Sequence, residues 1–168
     1  MGYVDYAYYS VLYGENALSE ADFNRLSWEA ERKLDLNTTG IDGVKKLKVA
    51  FPTDEDDAEA VKRCICKLIE IEGNIEAATK RVTDAQGYIL RDDGNLQGKV
   101  VTSVSAGNES VSFSAKDGSA NATLIDKAMS DKTMQEQLYR DTITEYLSGI
   151  TDANGISLLY MGAYPCNH

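Results

Sequence analysis

Apolar positions recur at helical spacing early in the chain. Phe23, Leu26, Ala30 and Leu34 fall on one stripe with charges between them, the pattern of an amphipathic helix. Ser19 stands at the expected N-cap, and the acidic Asp22 three residues on gives a start resembling a capping box. The spacing predicts a helix over 19–36, broken near Gly40. A longer stripe, formed by Val61, Ile65, Leu68, Ile75 and Ala78, predicts a second helix over 53–79. Thr53 is its expected N-cap. Asp54, Glu55, Asp56 and Asp57 fill its first turn, where each carboxylate favours the positive helix end by about 0.3–1 kcal/mol. Gly73 interrupts the stripe and marks a place for a bend.

Past Thr83 the helical period stops. The stretch "RDDGNLQG" is turn-forming, so 83–99 reads as a long surface loop. Residues 99–115 change to β character. Val100, Val101, Thr102 and Val104 lead into Ala106-Gly107-Asn108, and Val111 and Phe113 then alternate with serines, as in a β-hairpin. Such a hairpin is barely stable alone and must lie on the helices or on a neighbouring subunit. Residues 120–149 read as two helices. The first is short and carries Leu124, Ile125 and Met129; the second is capped by Asp131 and turns Met134, Leu138, Ile143, Tyr146 and Leu147 toward the core. Gly149 is the expected stop and Asn154-Gly155 a turn.

Two terminal segments fit none of these periods. Residues 1–14 hold Tyr3, Tyr6, Tyr8, Tyr9 and Tyr13, five of the ten tyrosines. Tyrosine joins apolar area to a polar tip and is enriched at interfaces. Residues 156–168 open with "ISLLYMGAY", whose Leu158, Leu159, Tyr160 and Met161 are unusually apolar for a chain end. Both segments are expected to be extended arms that pack on a partner, with folding back onto the chain's own core as the alternative. The expected fold is thus mainly α: a single domain over 1–168, built as a small bundle of about four helices with an inserted β-hairpin and extended N- and C-terminal arms.

Composition narrows the function. The 168 residues carry 17 basic and 27 acidic side chains, a formal charge of −10. That disfavours sequence-specific nucleic acid or anionic lipid as a partner, since phosphate binding needs a positive surface. No apolar stretch approaches the ~20 residues of a membrane span, and the N-terminus lacks the basic and apolar regions of a secretion signal. Cys64, Cys66 and Cys166 show no metal or disulfide spacing and read as reduced cytoplasmic thiols. The one histidine is His168, the final residue. No nucleophile elbow, phosphate loop or zinc motif is present. The acidic run Asp54, Glu55 and Asp56 raises a metal-dependent enzyme as an alternative, but consecutive residues radiate around a helix axis instead of converging. No catalytic, cofactor-binding or metal-ligating residue is therefore expected.

The order of segments resembles the tailed-bacteriophage head–tail connector (adaptor) proteins, the family related to the HK97 gp6-like and SPP1 gp15-like connectors. The matching pieces are "YSVLYG", then "LSEADFNRLSWEAERKLD", a long helix holding "AVKRCICKLIEIE", the serine-rich "VTSVSAGNESVSFS", and an ending in "LSGI" and "LLYMG". Members often carry a basic residue before the glycine of that ending, where this chain has Met161. The resemblance implies a structural, non-enzymatic subunit without cofactors. It implies a dodecameric ring under the portal vertex that extends the DNA channel and joins head to tail. The implied partners are the portal protein, neighbouring copies and a stopper or tail-completion protein. The implied location is the virion head–tail interface, after the host cytoplasm before assembly. The partner-binding residues expected are Tyr3, Tyr6, Tyr8, Tyr9, Tyr13, Leu158, Leu159, Tyr160 and Met161. A cytoplasmic protein-interaction module without catalytic activity is the alternative from another class.

Overall fold

The computed structural model describes residues 2–86, 88–90, 96–98, 104–106, 109–111 and 131–164; the side chains discussed below are those of 2–80 and 131–164. The protein is mainly helical. Among the described residues the helices are α1 (Tyr6–Tyr13), α2 (Glu20–Thr38), α3 (Lys46–Val49), α4 (Glu55–Gln86) and α5 (Lys132–Leu147). The central helix is α4, which packs along both α2 and α5.

Helix α2 begins as its sequence dictates. The Ser19 hydroxyl accepts the Asp22 N–H at 3.1 Å. Its stripe of Phe23, Leu26, Ala30 and Leu34 is buried against Val61, Ile65, Leu68 and Ile75 of α4. Polar groups fasten the edges of the same contact. Arg25 donates to both carboxylate oxygens of Glu76, at 2.6 and 2.7 Å, and Lys33 pairs with Glu72. Helix α4 is capped by Asp54, not Thr53: the Asp54 Oδ1 accepts the N–H groups of Asp56 and Asp57 at 3.0 and 3.1 Å. A carboxylate one residue later serves the exposed donors as well as a hydroxyl would, and adds charge complementarity. The helix also runs past Thr79 and continues unbroken through Gly73. Helix α5 starts at the Asp131 cap, which accepts the Thr133 N–H at 2.7 Å. It buries Tyr139, Thr142, Ile143 and Leu147. Met134, expected in the core, is exposed instead.

The expected loop over 83–99 is not a plain loop. Residues 83–86 belong to α4, and the backbone of Tyr88–Leu90 (β1) pairs antiparallel with Leu96–Gly98 (β2). Within the hairpin expected over 99–115, the backbone of Val104–Ala106 (β3) pairs antiparallel with Glu109–Val111 (β4). The rest of that stretch lies outside the described residues, so an inserted hairpin is not established as part of the architecture. The short helix expected within 120–130 lies outside the described residues too, as do Cys166 and His168.

The N-terminal arm is not extended. Residues 6–13 form α1, with the Asp5 carboxylate accepting the Tyr8 N–H at 2.8 Å and Gly14 ending it at a φ of 93°. Eight residues are too few for a stable isolated helix, so α1 depends on what it packs against. Tyr9 is fully buried and its hydroxyl donates to Glu70 of α4, while Tyr6 and Tyr9 rings contact Phe23 of α2.

Candidate functional site

The C-terminal segment is likewise not a free arm. Residues 150–164 fold into consecutive turns and lie on the α2–α3 connection. The turn at Asn154-Gly155 is present: the Asp152 Oδ1 accepts the N–H groups of Asn154 and Ile156 at 2.8 and 2.9 Å. The Leu158 N–H donates to the Ile150 carbonyl at 3.0 Å, and the Leu158 side chain is fully buried.

Lys46 organises this seat. It opens α3 and is fully buried. Its ammonium donates to the carbonyls of Ser157 at 3.2 Å and Leu158 at 3.1 Å, and to that of Tyr160. Burial lowers the Lys46 pKa from its ordinary value, with the charges of Asp152 and Asp42 opposing that shift. A second clasp holds the far end. The Tyr164 N–H donates to Asp42 at 2.6 Å, and its hydroxyl donates to Asp152 at 2.5 Å while accepting from Asn154 at 2.7 Å. The Tyr164 and Val44 N–H groups hold the Asp42 carboxyl below its usual value. Between the clasps, the Ile41 N–H donates to the Met161 carbonyl at 3.1 Å, and Gly40 lies against Gly162 so closely that a Cβ would stand 2.5 Å from the Gly162 oxygen.

Seating the segment this way turns some side chains in and leaves others out. Tyr9 and Leu158, both expected to bind a partner, are spent on the chain's own core. Tyr3, Tyr6, Tyr8 and Leu159 are partly buried against that core. The Tyr3 hydroxyl donates to the buried Asp35 at 2.8 Å, and the Tyr6 hydroxyl donates to the Leu18 carbonyl at 2.9 Å. Tyr13, Tyr160 and Met161 remain exposed. The structure therefore divides the nine residues: the tyrosine segment mostly fastens α1 to the bundle, whereas the tail presents an outer surface.

That outer surface is a groove of about 400 Å³ between the end of α2, α5 and the tail. Leu36, Leu159 and Met161 give it apolar walls, Ile143 its floor, and Arg140 and Thr144 its polar margin. Leu36 is 58% exposed and Met161 56% exposed. Ile41, bonded to the Met161 carbonyl through its N–H, adds another exposed apolar side chain beside it. Side chains of this kind, uncovered and contiguous, are the features of a surface that another molecule covers.

No family model, curated protein or solved structure matches this chain.

Leu36 and Arg140 were not anticipated as site residues. The signal for Leu36 was present: it lies one position or more off the Leu26–Ala30–Leu34 stripe, so a large apolar side chain had to face outward. Arg140 carries no such signal, since only the folded tail brings Met161 to it. Among the described residues no three His, Cys, Asp or Glu side chains are grouped to hold a metal ion. Asp57 of the acidic run accepts the Thr151 N–H at 3.1 Å. Cys64 and Cys66 are fully buried, and burial pushes both thiols up to about 12. No helix among the described residues is long and apolar enough to cross a membrane.

Proposed function

We propose that the protein is a structural head–tail connector subunit of a tailed phage or prophage. It forms a ring under the portal vertex, extends the DNA channel and joins head to tail. The observation that carries this reading is the uncovered apolar groove of Leu36, Leu159 and Met161, built by the same tail whose "LLYMG" ending is one of the pieces that carry the family resemblance. A ring subunit needs surfaces left for neighbours of fixed geometry, and a tail locked to its own bundle offers such a surface without the entropy loss of ordering an arm on contact. The portal is the partner assigned to this groove. A net charge of −10 suits a channel along which DNA slides without binding.

The test uses purified protein mixed with the portal protein of the same genome, followed by native mass spectrometry and negative-stain imaging. Ring-shaped complexes are expected, and Met161→Asp or Leu36→Asp abolishes them while leaving the thermal melt near wild type. A chain that ignores the portal, yet binds a non-virion protein through this groove, would replace the connector with the interaction-module reading.

A further inference from the structure

We propose that a recess beside Trp28 is a self-association site that takes the acidic first turn of α4 from a second copy of this chain. The recess measures about 260 Å³ and is walled by Trp28, Arg32, Lys45 and Lys48, with Glu31 and Asp35 at its base. The two carboxylates are engaged inward. Glu31 accepts the Tyr3 N–H at 2.7 Å, and Asp35, 3% exposed, accepts the Tyr3 hydroxyl. Two of the cations pair with Asp35: Lys48 and Lys45 stand 3.3 and 4.0 Å from it with half of each side chain in solvent. The Arg32 guanidinium lies 5.6 Å from the centre of the Trp28 ring and makes no ion pair among the described residues. Trp28 is itself 60% exposed. An uncovered tryptophan beside the uncommitted Arg32, with Lys45 and Lys48 shared with Asp35, leaves the rim one positive charge in excess, the composition of a contact anchor for carboxylates.

The chain supplies the matching surface. Asp54, Glu55 and Asp56 are exposed, and Glu55 and Asp56 make no ion pair among the described residues. Recess and turn are built from different residues of one chain, so each copy gives one and accepts one. The contact deepens the ring reading above, since it names the surfaces by which copies meet.

Trp28 is the only tryptophan, so its emission reports the recess directly. Purified full-length chain, without portal, is concentrated at low salt while Trp28 emission and sedimentation are followed. Emission should shift to the blue as the sedimentation coefficient rises, and salt should reverse both. The E55K/D56K variant, which leaves the recess untouched, should associate at least about tenfold more weakly. K45E/K48E should weaken it as well, and the two combined should restore association, with thermal melts confirming that each variant folds. Emission that ignores protein concentration, or wild-type association by E55K/D56K, would overturn the proposal. So would duplex DNA, used as the probe, shifting Trp28 emission where concentration does not. Portal capture without self-association would sink this contact and leave the proposed function standing; self-association without portal capture would do the reverse.

Discussion

Replacing Lys46 by methionine removes one ammonium and keeps most of the apolar stem that fills its fully buried site. The tail carbonyls of Leu158 and Tyr160 lose the Lys46 donor, and that of Ser157 keeps only the Tyr160 N–H. Hydrogen bonds to charged groups contribute roughly 1.5–3 kcal/mol each, but three bonds from one ammonium are not additive. Removing the charge also relieves its desolvation, the same burial that lowers the Lys46 pKa. The balance is a destabilisation of about 3 kcal/mol. For a chain of this length that lowers Tm by roughly 6–12 °C. The loss is also local, so hydrogen exchange is the sharper assay. The Leu158 N–H, which donates to the Ile150 carbonyl, should lose up to about a hundredfold in protection. The amides of α4 away from the tail should lose protection only through the global change. If the Lys46→Met variant melts within about 2 °C of wild type and keeps its Leu158 protection, the ammonium does not hold the tail, and apolar burial of Leu158 alone must do so.

Gly40→Ala should unseat the same segment from the other side. Its Cβ would stand 2.5 Å from the Gly162 carbonyl oxygen, and backbone crowding of this kind costs roughly 1–3 kcal/mol, read as a lower Tm with faster exchange at the Ile41 amide. The Asp42 carboxyl, held below its ordinary value by the Tyr164 and Val44 N–H groups, makes the far clasp acid-sensitive. Its contribution is present above the unfolded pKa of about 3.8 and is lost as pH falls through the lower folded value, which the Tyr164 amide shift in an NMR titration should report. Tyr9→Phe removes the hydroxyl that donates to Glu70 and should cost about 1 kcal/mol in a urea melt. Cys64 and Cys66, buried with thiols pushed up to about 12, should not react with a thiol reagent in a Cys166→Ser background until the protein unfolds.

The long helices were legible because period and cap agreed. Ser19 and the Phe23–Leu34 stripe place α2, and Asp131 starts α5 where expected. Thr53 and Asp54 are both good caps, so sequence alone could not choose between neighbours. The end of α4 was misplaced because nothing between Lys80 and Gln86 breaks a helix except the fading of its stripe. Helix α1 has a readable start and stop in Asp5 and Gly14, but "YAYYSVLY" is short and rich in tyrosine, and looked like an adhesive arm. What makes it a helix is tertiary: Tyr9 reaches Glu70, 61 residues away. Lys46 was invisible for a related reason. It sits in "VKKLKV", where three lysines read as solvated surface, and lysine is almost never fully buried without partners. Its partners are backbone carbonyls 111 to 114 residues later, and carbonyls carry no sequence signature.

The greasy tail thus has two roles that its sequence does not separate. Leu158 turns in and completes the core, while Leu159, Tyr160 and Met161 take positions along a strip whose backbone is tied down at both ends. A free arm with the same residues would have to be ordered on each encounter, at roughly 1–2 kcal/mol per residue of backbone entropy. Here that loss is met at folding by Lys46, Asp42 and Asp152. The groove beside Leu36 and Arg140 is therefore formed within the chain itself, and on the proposed reading its affinity for a partner would depend on the clasps although they would not touch that partner. Weakening Lys46 or Gly40 should then lower binding at the groove even where Leu36 and Met161 are intact, a linkage that an unstructured tail would not show.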